Sequence, residues 1–343
     1  MYSNLSIVIP LFQSAIWIEK TLEALGGAGP NSFEVIIVDD GSTDNGLKKA
    51  QDWLISNWSG PWKCIQKQEN GGAFLARCTG IQEASGEWIT FLDADDDLTQ
   101  ASLISWMKHA QSNVDVVVGR IQNIDKCGQP IHWTSFLEKN ELLTGHQMTQ
   151  AYLDQYKGFG TVWAKLIRRS ILQPVMDELK SADRVYIDND NEVILRCYLR
   201  ARFVALVARG VYNWRDHENA SSHGNQRRMD IVLDKVAGAR RSFLWLKAFA
   251  PEFLPLSLSR WEIELTAALG YPHPDESFAR GPAWDLEWGK LVKASPDWAH
   301  SMDRALKRRI QWRDSMTHEQ REQMREKQLA HLREHRQFNP PLS

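Results

Sequence analysis

Short β-branched runs that stop at acidic strings, each followed by a helical repeat, constrain this chain more than any other feature in it. Ser6 to Ile9 is the first such run, and Ile18, Leu22 and Leu25 then recur at helical spacing until Gly26-Gly27. Val35 to Val38 stops at Asp39-Asp40-Gly41-Ser42, after which Leu47, Ala50 and Leu54 repeat with the helical period. Gly71-Gly72 opens a helix-like segment through Ala84. Trp88 to Leu92 reads as a buried strand, Leu103 to Ala110 as a helix and Val114 to Val118 as another strand. This alternation predicts right-handed βαβ units and a mostly parallel sheet covered on both faces. From Gly119 to Gly158 the pattern is irregular, which predicts excursions over the sheet rather than new core strands. Helical periodicity returns between Val193 and Leu199, and Phe203 to Val207 reads as one more strand. After about Arg228 the chain becomes helix-favouring and Trp-rich, which predicts a second, helical part.

The acidic strings carry the chemistry. Asp93-Ala94-Asp95-Asp96-Asp97 closes the strand at Trp88 to Leu92, so hard oxygen ligands stand at the carboxyl edge of the sheet, where a divalent cation and a phosphate-bearing ligand can meet. Asp39-Asp40-Gly41-Ser42-Thr43-Asp44 ends the second strand beside Pro10, Leu11 and Phe12. A carboxylate there can accept from a nucleobase while Phe12 offers a stacking face. Asn70-Gly71-Gly72 and Arg77 add a glycine turn at a helix start and a cation one turn on, a pairing suited to a diphosphate. Neither a GxGxxG fingerprint nor a Walker A loop is present.

Bulk properties narrow the classes. A formal net charge of -2 over 343 residues gives no global attraction to nucleic acid. Cys64, Cys78, Cys127 and Cys197 form no CxxC pair or zinc-type spacing, which fits free thiols in a reducing compartment. With no signal-like start and no run of about 18 apolar residues, the chain reads as cytoplasmic. The stretch from Arg304 to Arg336 mixes Lys307, Arg308, Arg309, Arg313, Arg321 and Arg325 with Glu319, Glu322 and Glu326. It reads as a solvated helix with local ion pairs, or as a peripheral contact to the inner face of an anionic membrane.

Val8-Ile9-Pro10, Val38-Asp39-Asp40-Gly41-Ser42-Thr43-Asp44, Asn70-Gly71-Gly72, Ala76-Arg77 through Gly80, Gly86-Glu87-Trp88-Ile89 and Phe91-Leu92-Asp93-Ala94-Asp95-Asp96 occur in the order seen in family 2 glycosyltransferases. The chain resembles the bacterial, non-processive members; it has neither spanning segments nor a QxxRW string. The specific likeness covers residues 4–118, and a looser one, through Val162-Trp163-Ala164-Lys165-Leu166 with Arg168-Arg169 and Tyr212 to Ser222, extends to 223. Two positions depart from the pattern, Gln13 where Asn is common and Cys78-Thr79-Gly80 where Asn-x-Gly follows the arginine.

This resemblance implies a Rossmann-like GT-A α/β fold, a mixed sheet flanked by helices, over 1–223, with a nucleotide-binding part at 4–118, an acceptor part at 119–223 and a helical region at 224–343. It implies that Asp40 contacts the base with Pro10 and Phe12 nearby, that Asn70, Gly71 and Arg77 line the nucleotide pocket and that Asp93 faces the ribose. Asp95 is implied to hold Mg2+ or Mn2+ on the diphosphate, with His217 or His223 as further candidate ligands. The acceptor base falls on Asp190, with Asn189 where Glu is common and Asp188 as the fallback. The same residue could simply cap the helix that follows. Arg215 and Ser221 match a late loop over the donor phosphates. The implied reaction is a metal-dependent, inverting transfer from a nucleotide-sugar, by resemblance a UDP-sugar, to a cell-surface glycan or lipid-linked acceptor. Two rival readings are a catalytically silent nucleotide- or glycan-binding scaffold and an aspartate-nucleophile phosphatase, whose DxDx[TV] start Asp93-Ala94-Asp95 imitates until Asp97.

Overall fold

The computed structural model describes residues 4–26, 33–135, 137–155, 159–181, 190–217 and 228–258, together with 260–261 and scattered positions from 289 to 317. The chain divides into two compact units, Met1–His223 and Gly224–Ser343.

The first unit runs β1 (Leu5–Leu11), α1 (Ile18–Leu25), β2 (Glu34–Asp39), α2 (Gly46–Asn57), β3 (Trp62–Gln66), α3 (Ala73–Glu83) and β4 (Trp88–Phe91). It continues as β5 (Asp97–Leu98), α4 (Gln100–Met107), β6 (Val116–Ile124), β7 (Pro130–Ser135), β8 (Glu141–Thr144), α5 (Gly145–Gln155), β9 (Lys165–Arg168), α6 (Arg169–Lys180), α7 (Asp190–Arg200) and β10 (Phe203–Arg215). The strands form one ten-stranded sheet in the order β3-β2-β1-β4-β9-β6-β10-β5, with β7 on β6 and β8 on β10. This is the mixed α/β sheet flanked by helices that the resemblance implies.

Strands β1 to β4 pair in parallel through β1, β2 and their neighbours, as the periodicity predicts. Their interior is apolar without alternation because helices cover both faces: Leu5, Ile7, Val8, Ile9 and Leu11 of β1 and Val35 to Val38 of β2 are all fully buried. Each such side chain contributes about 1.5–3 kcal/mol of burial. Helix α3 lies so close to β1 that a Cβ on Gly80 would collide with Val8 Cγ1.

Beyond β4 the sheet departs from the mostly parallel prediction. β9 runs antiparallel to both β4 and β6, and β10 is parallel to β6 but antiparallel to β5 and β8. The stretch from Gly119 to Gly158 is also corrected, since β6 continues to Ile124, turns at Asp125–Gln129 and returns as β7, and β8 and α5 follow. These strands escape a search for continuous apolar runs because part of their surface is solvated. The end of β6 alternates buried and half-buried residues, and β8 is mostly exposed.

In the second unit, α8 (Arg228–Phe249) is followed by a short 3-10 turn at Pro251–Phe253. Among the described residues no helix is long and apolar enough to cross a membrane.

Candidate active site

Because β1, β2 and β4 are parallel neighbours, their carboxyl ends deliver Leu11-Phe12, Asp39-Asp40 and Leu92-Asp93 to one edge of the sheet. Pro10 pairs in register with Val38, and the Asp40 N–H donates to the Leu11 carbonyl at 2.8 Å. Gly41, at φ +75, turns the chain away from the edge. Gln13 ties the two loops together, donating from its backbone N–H to Ser42 Oγ at 3.1 Å and from Nε2 to Thr43 Oγ1 at 2.8 Å. Phe12, 43 % exposed, stands clear of these contacts.

Asp40 is 2 % exposed, and its carboxylate accepts from the Gly71 N–H at 3.1 Å, from the Gly72 N–H at 2.6 Å and from Lys67 Nζ. The glycine amides that the sequence offers to a diphosphate are thus committed to Asp40. A buried carboxylate left without donors would cost several kcal/mol, so it captures the nearest ones. Sequence reasoning misses Lys67, although it directly follows β3 and its N–H bonds the Asp39 carbonyl at 2.8 Å.

Arg77 joins two parts of the site. Its Nη2 donates to Asp93 at 2.8 Å, its Nη1 to Asp190 at 3.3 Å, and its guanidinium lies 5.5 Å from the centre of the Phe91 ring. Burial lowers the affinity of this guanidinium for its proton, but the charges of Asp93 and Asp190 more than reverse that, so the net shift is upward. Asp190 opens α7, and its second oxygen accepts from the Val162 N–H at 3.2 Å. Next to it, Asn191 accepts from Tyr152 Oη at 2.7 Å.

The acidic string after β4 is held by the end of β10. Tyr212 Oη donates to Asp96 at 2.7 Å and accepts from the Asp93 N–H at 3.2 Å. Arg215 donates from its backbone N–H to Asp96 at 2.8 Å, from Nε to the Asp95 carbonyl at 3.1 Å and from Nη2 to Asp97 at 2.6 Å. Its Nη1 reaches the carbonyls of Asp125 and Lys126. The resemblance gives Arg215 to a loop over the donor phosphates, whereas here its guanidinium is fastened to protein oxygens. His217 Nε2 lies 2.9 Å from Asp95 Oδ2, and its ring stacks on Trp17 with centroids 4.8 Å apart. Burial, then the charge of Asp93, push Asp95 above the usual carboxylate range, while His217 acts the other way. Asp96 is pushed well up by burial and then by Asp95 and Asp93.

The structure therefore brings Asp93, Asp95, Asp190, Arg77 and His217 into one connected arrangement, with Asp40, Pro10 and Phe12 along the same sheet edge. Asn70 is exposed beside Gly71. Asp188, Asn189, Ser221 and His223 lie outside the described residues. Among the described residues no group of three His, Cys, Asp or Glu side chains forms a ready metal cage. The residues nevertheless fit a hard cation that takes further oxygens from a diphosphate. The charge of Asp93 raises the proton affinity of Asp95, and those of Asp95 and Asp93 raise that of Asp96, which a cation would relieve, and His217 Nδ1 is buried without a partner among the described residues.

Residues 6–175 match the family described as Glycosyl transferase family 2. The chain is 26 % identical over 246 residues to the glycosyltransferase EpsJ of Bacillus subtilis, a match that covers 71 % of this chain and 70 % of EpsJ. It is 30 % identical over 176 residues to the glycosyltransferase YibD of Escherichia coli, about half of each protein. Among solved structures, S. aureus TarS 1-349 in complex with UDP-GlcNAc shares the fold at a TM-score of 0.65 and 19 % identity, over 90 % of this chain and 88 % of that one.

Proposed function

The chain belongs to glycosyl transferase family 2, and from that premise we propose that it moves a sugar from a UDP-sugar to a hydroxyl of a glycan or lipid-linked acceptor, with inversion and with Mg2+ or Mn2+. The observation that supports this reading best is Arg77, whose one guanidinium spans Asp93 on the donor edge and Asp190 at the start of α7. Donor and acceptor groups then meet within the reach of a single displacement. TarS, which shares the fold, forms a complex with UDP-GlcNAc, and this favours a uridine nucleotide as donor here.

In this mechanism Phe12 stacks on the base and Asp40 holds the loop beneath it, while Asp93 faces the ribose. Asp95, with His217 beside it, would hold the metal ion, whose chemistry is to neutralise charge on the departing diphosphate. Asp190 takes the proton of the acceptor hydroxyl as that oxygen attacks the anomeric carbon, and the bond from that carbon to the diphosphate oxygen breaks on the opposite side. Arg77 keeps the Asp190 carboxylate aimed into the site and favours its ionised form, the form able to accept a proton.

The test is a thermal-shift screen of nucleotide-sugars with and without Mn2+, followed by turnover of the hits. A UDP-sugar that stabilises the protein by mass action only with Mn2+, and whose transfer Asp190→Asn suppresses without abolishing binding, is the expected result. A protein that binds no nucleotide-sugar under either condition refutes the proposal.

A further inference from the structure

Lys165 is fully buried at the first position of β9, paired in register with Val118 of β6. Its ammonium donates to Thr161 Oγ1 at 3.2 Å and to the Trp163 carbonyl at 3.4 Å, two neutral oxygens, with no carboxylate of the described residues in bonding range. A lysine stem can usually carry its charge to water, so a sealed ammonium on neutral acceptors is costly. The backbone beside it is strained as well. Ala164 has φ +57, a conformation that alanine adopts at a cost of about 1–2 kcal/mol. On the other side of Ala164, Trp163 stacks against Tyr212 with centroids 4.7 Å apart. Strain and buried charge in one short turn are the kind of feature that function maintains.

That turn ends against Asp190. The Val162 N–H, between the two residues that hold the Lys165 ammonium, is the donor to Asp190 Oδ2. Asp190 and Cys197, seven residues apart and so on one face of α7, are the titratable groups that act on Lys165. Burial pushes the Cys197 thiol up to about 12, so it stays neutral and Asp190 is the anion that acts on the lysine. Arg77 reaches the other side of the same carboxylate.

We infer that Lys165 is a positioning residue for the acceptor side: its ammonium fastens the 161–163 turn whose amide orients Asp190, and its charge holds Asp190 in the proton-accepting form. The inference rests on the reading of Asp190 as base. Arg77 is shared with Asp93, whereas Asp190 is the one anion among the described residues that acts on Lys165, so the lysine's charge follows that of Asp190 closely. Burial lowers its own proton affinity to about 7, against an upward pull from Asp190, so the lysine's charge titrates near neutrality.

Linkage makes this testable without turnover, because an effect of Lys165 on Asp190 requires an equal effect of Asp190 on Lys165. Lysine labelled with 13C at Cε, with Lys165→Gln identifying the signal, reports the Lys165 titration in the full chain. The midpoint is expected to fall by about one pH unit in Asp190→Asn; a midpoint that does not move overturns the inference. A second arm follows UDP release from a nucleotide-sugar against pH in Lys165→Gln, a variant that can still bond Thr161. Its acid limb is expected to move up by about one pH unit, and an unchanged limb also overturns the inference. Should Asp190→Asn turn over like the wild type, the base assignment fails, while the midpoint still reports whether the two charges are coupled.

Discussion

Replacing Lys165 with methionine should make the protein more stable at neutral pH and flatten its response to alkali. Burial lowers the Lys165 titration from 10.5 to about 7. Between those values the unfolded chain binds a proton that the native chain lacks, so the stability conferred by neutral Lys165 is complete above 10.5, shrinks as pH falls and is lost at about 7. At 1.36 kcal/mol per pKa unit, the wild type should gain about 2 kcal/mol between pH 7 and pH 9 from this group, a gain that Lys165→Met lacks. The side chain is fully buried, so solvent screening does not erode the figure. Urea unfolding followed by tryptophan fluorescence at the two pH values gives the slope for each protein. The comparison stops at pH 9 because burial raises Cys64 to about 11 and Cys78 and Cys197 to about 12, and stability then falls as unfolded thiols ionise. Asp95 and Asp96 are common to both proteins and cancel in the difference. Equal slopes for wild type and Lys165→Met would show that the ammonium reaches water, and would refute the reasoning.

Asp190→Asn is expected to lower transfer by about 10²–10⁴-fold while nucleotide-sugar binding, read by thermal shift, is retained. Asp95→Asn should remove the part of that shift that depends on Mn2+, and a Mn2+ response like that of the wild type would free Asp95 of the metal. Phe12→Ala is expected to weaken nucleotide binding by about 1–3 kcal/mol, as loss of one base stack does, and to leave turnover at saturating donor unchanged. Gly80→Ala forces a methyl group against Val8 Cγ1 and should cost about 1–3 kcal/mol in urea unfolding.

The parts of the site that can be read from sequence are those built on strands buried on both faces. There, β-branched runs end at Asp39-Asp40 and at Asp93, and parallel pairing places those ends together whatever the loops do. β3 is half exposed along its length, so its residues show no apolar run, and Lys67 escapes notice with it. Likeness alone assigns Arg215 to a loop. What decides its partners is the antiparallel pairing of β10 with β5, which sets Asn213 opposite Asp97 and directs the arginine into the acidic string. No periodicity encodes that pairing, because β5 has two residues.

Lys165 marks the deepest limit. In Val162-Trp163-Ala164-Lys165-Leu166, alternation alone cannot say which way the lysine faces. Its inward direction goes with a positive φ at Ala164, a conformation that the residue type disfavours and the surrounding fold imposes. The Ala164 carbonyl accepts from the Gly119 N–H at 2.9 Å, so the strained turn is fastened to β6 at the residue just past the apolar run Val114 to Val118. A local rule is broken by a tertiary contact, and the broken rule leads to Asp190. If relieving the strain alone, as in Ala164→Gly, left the Lys165 titration midpoint where it is, the ammonium would owe its position to burial by the neighbouring strands and not to the turn.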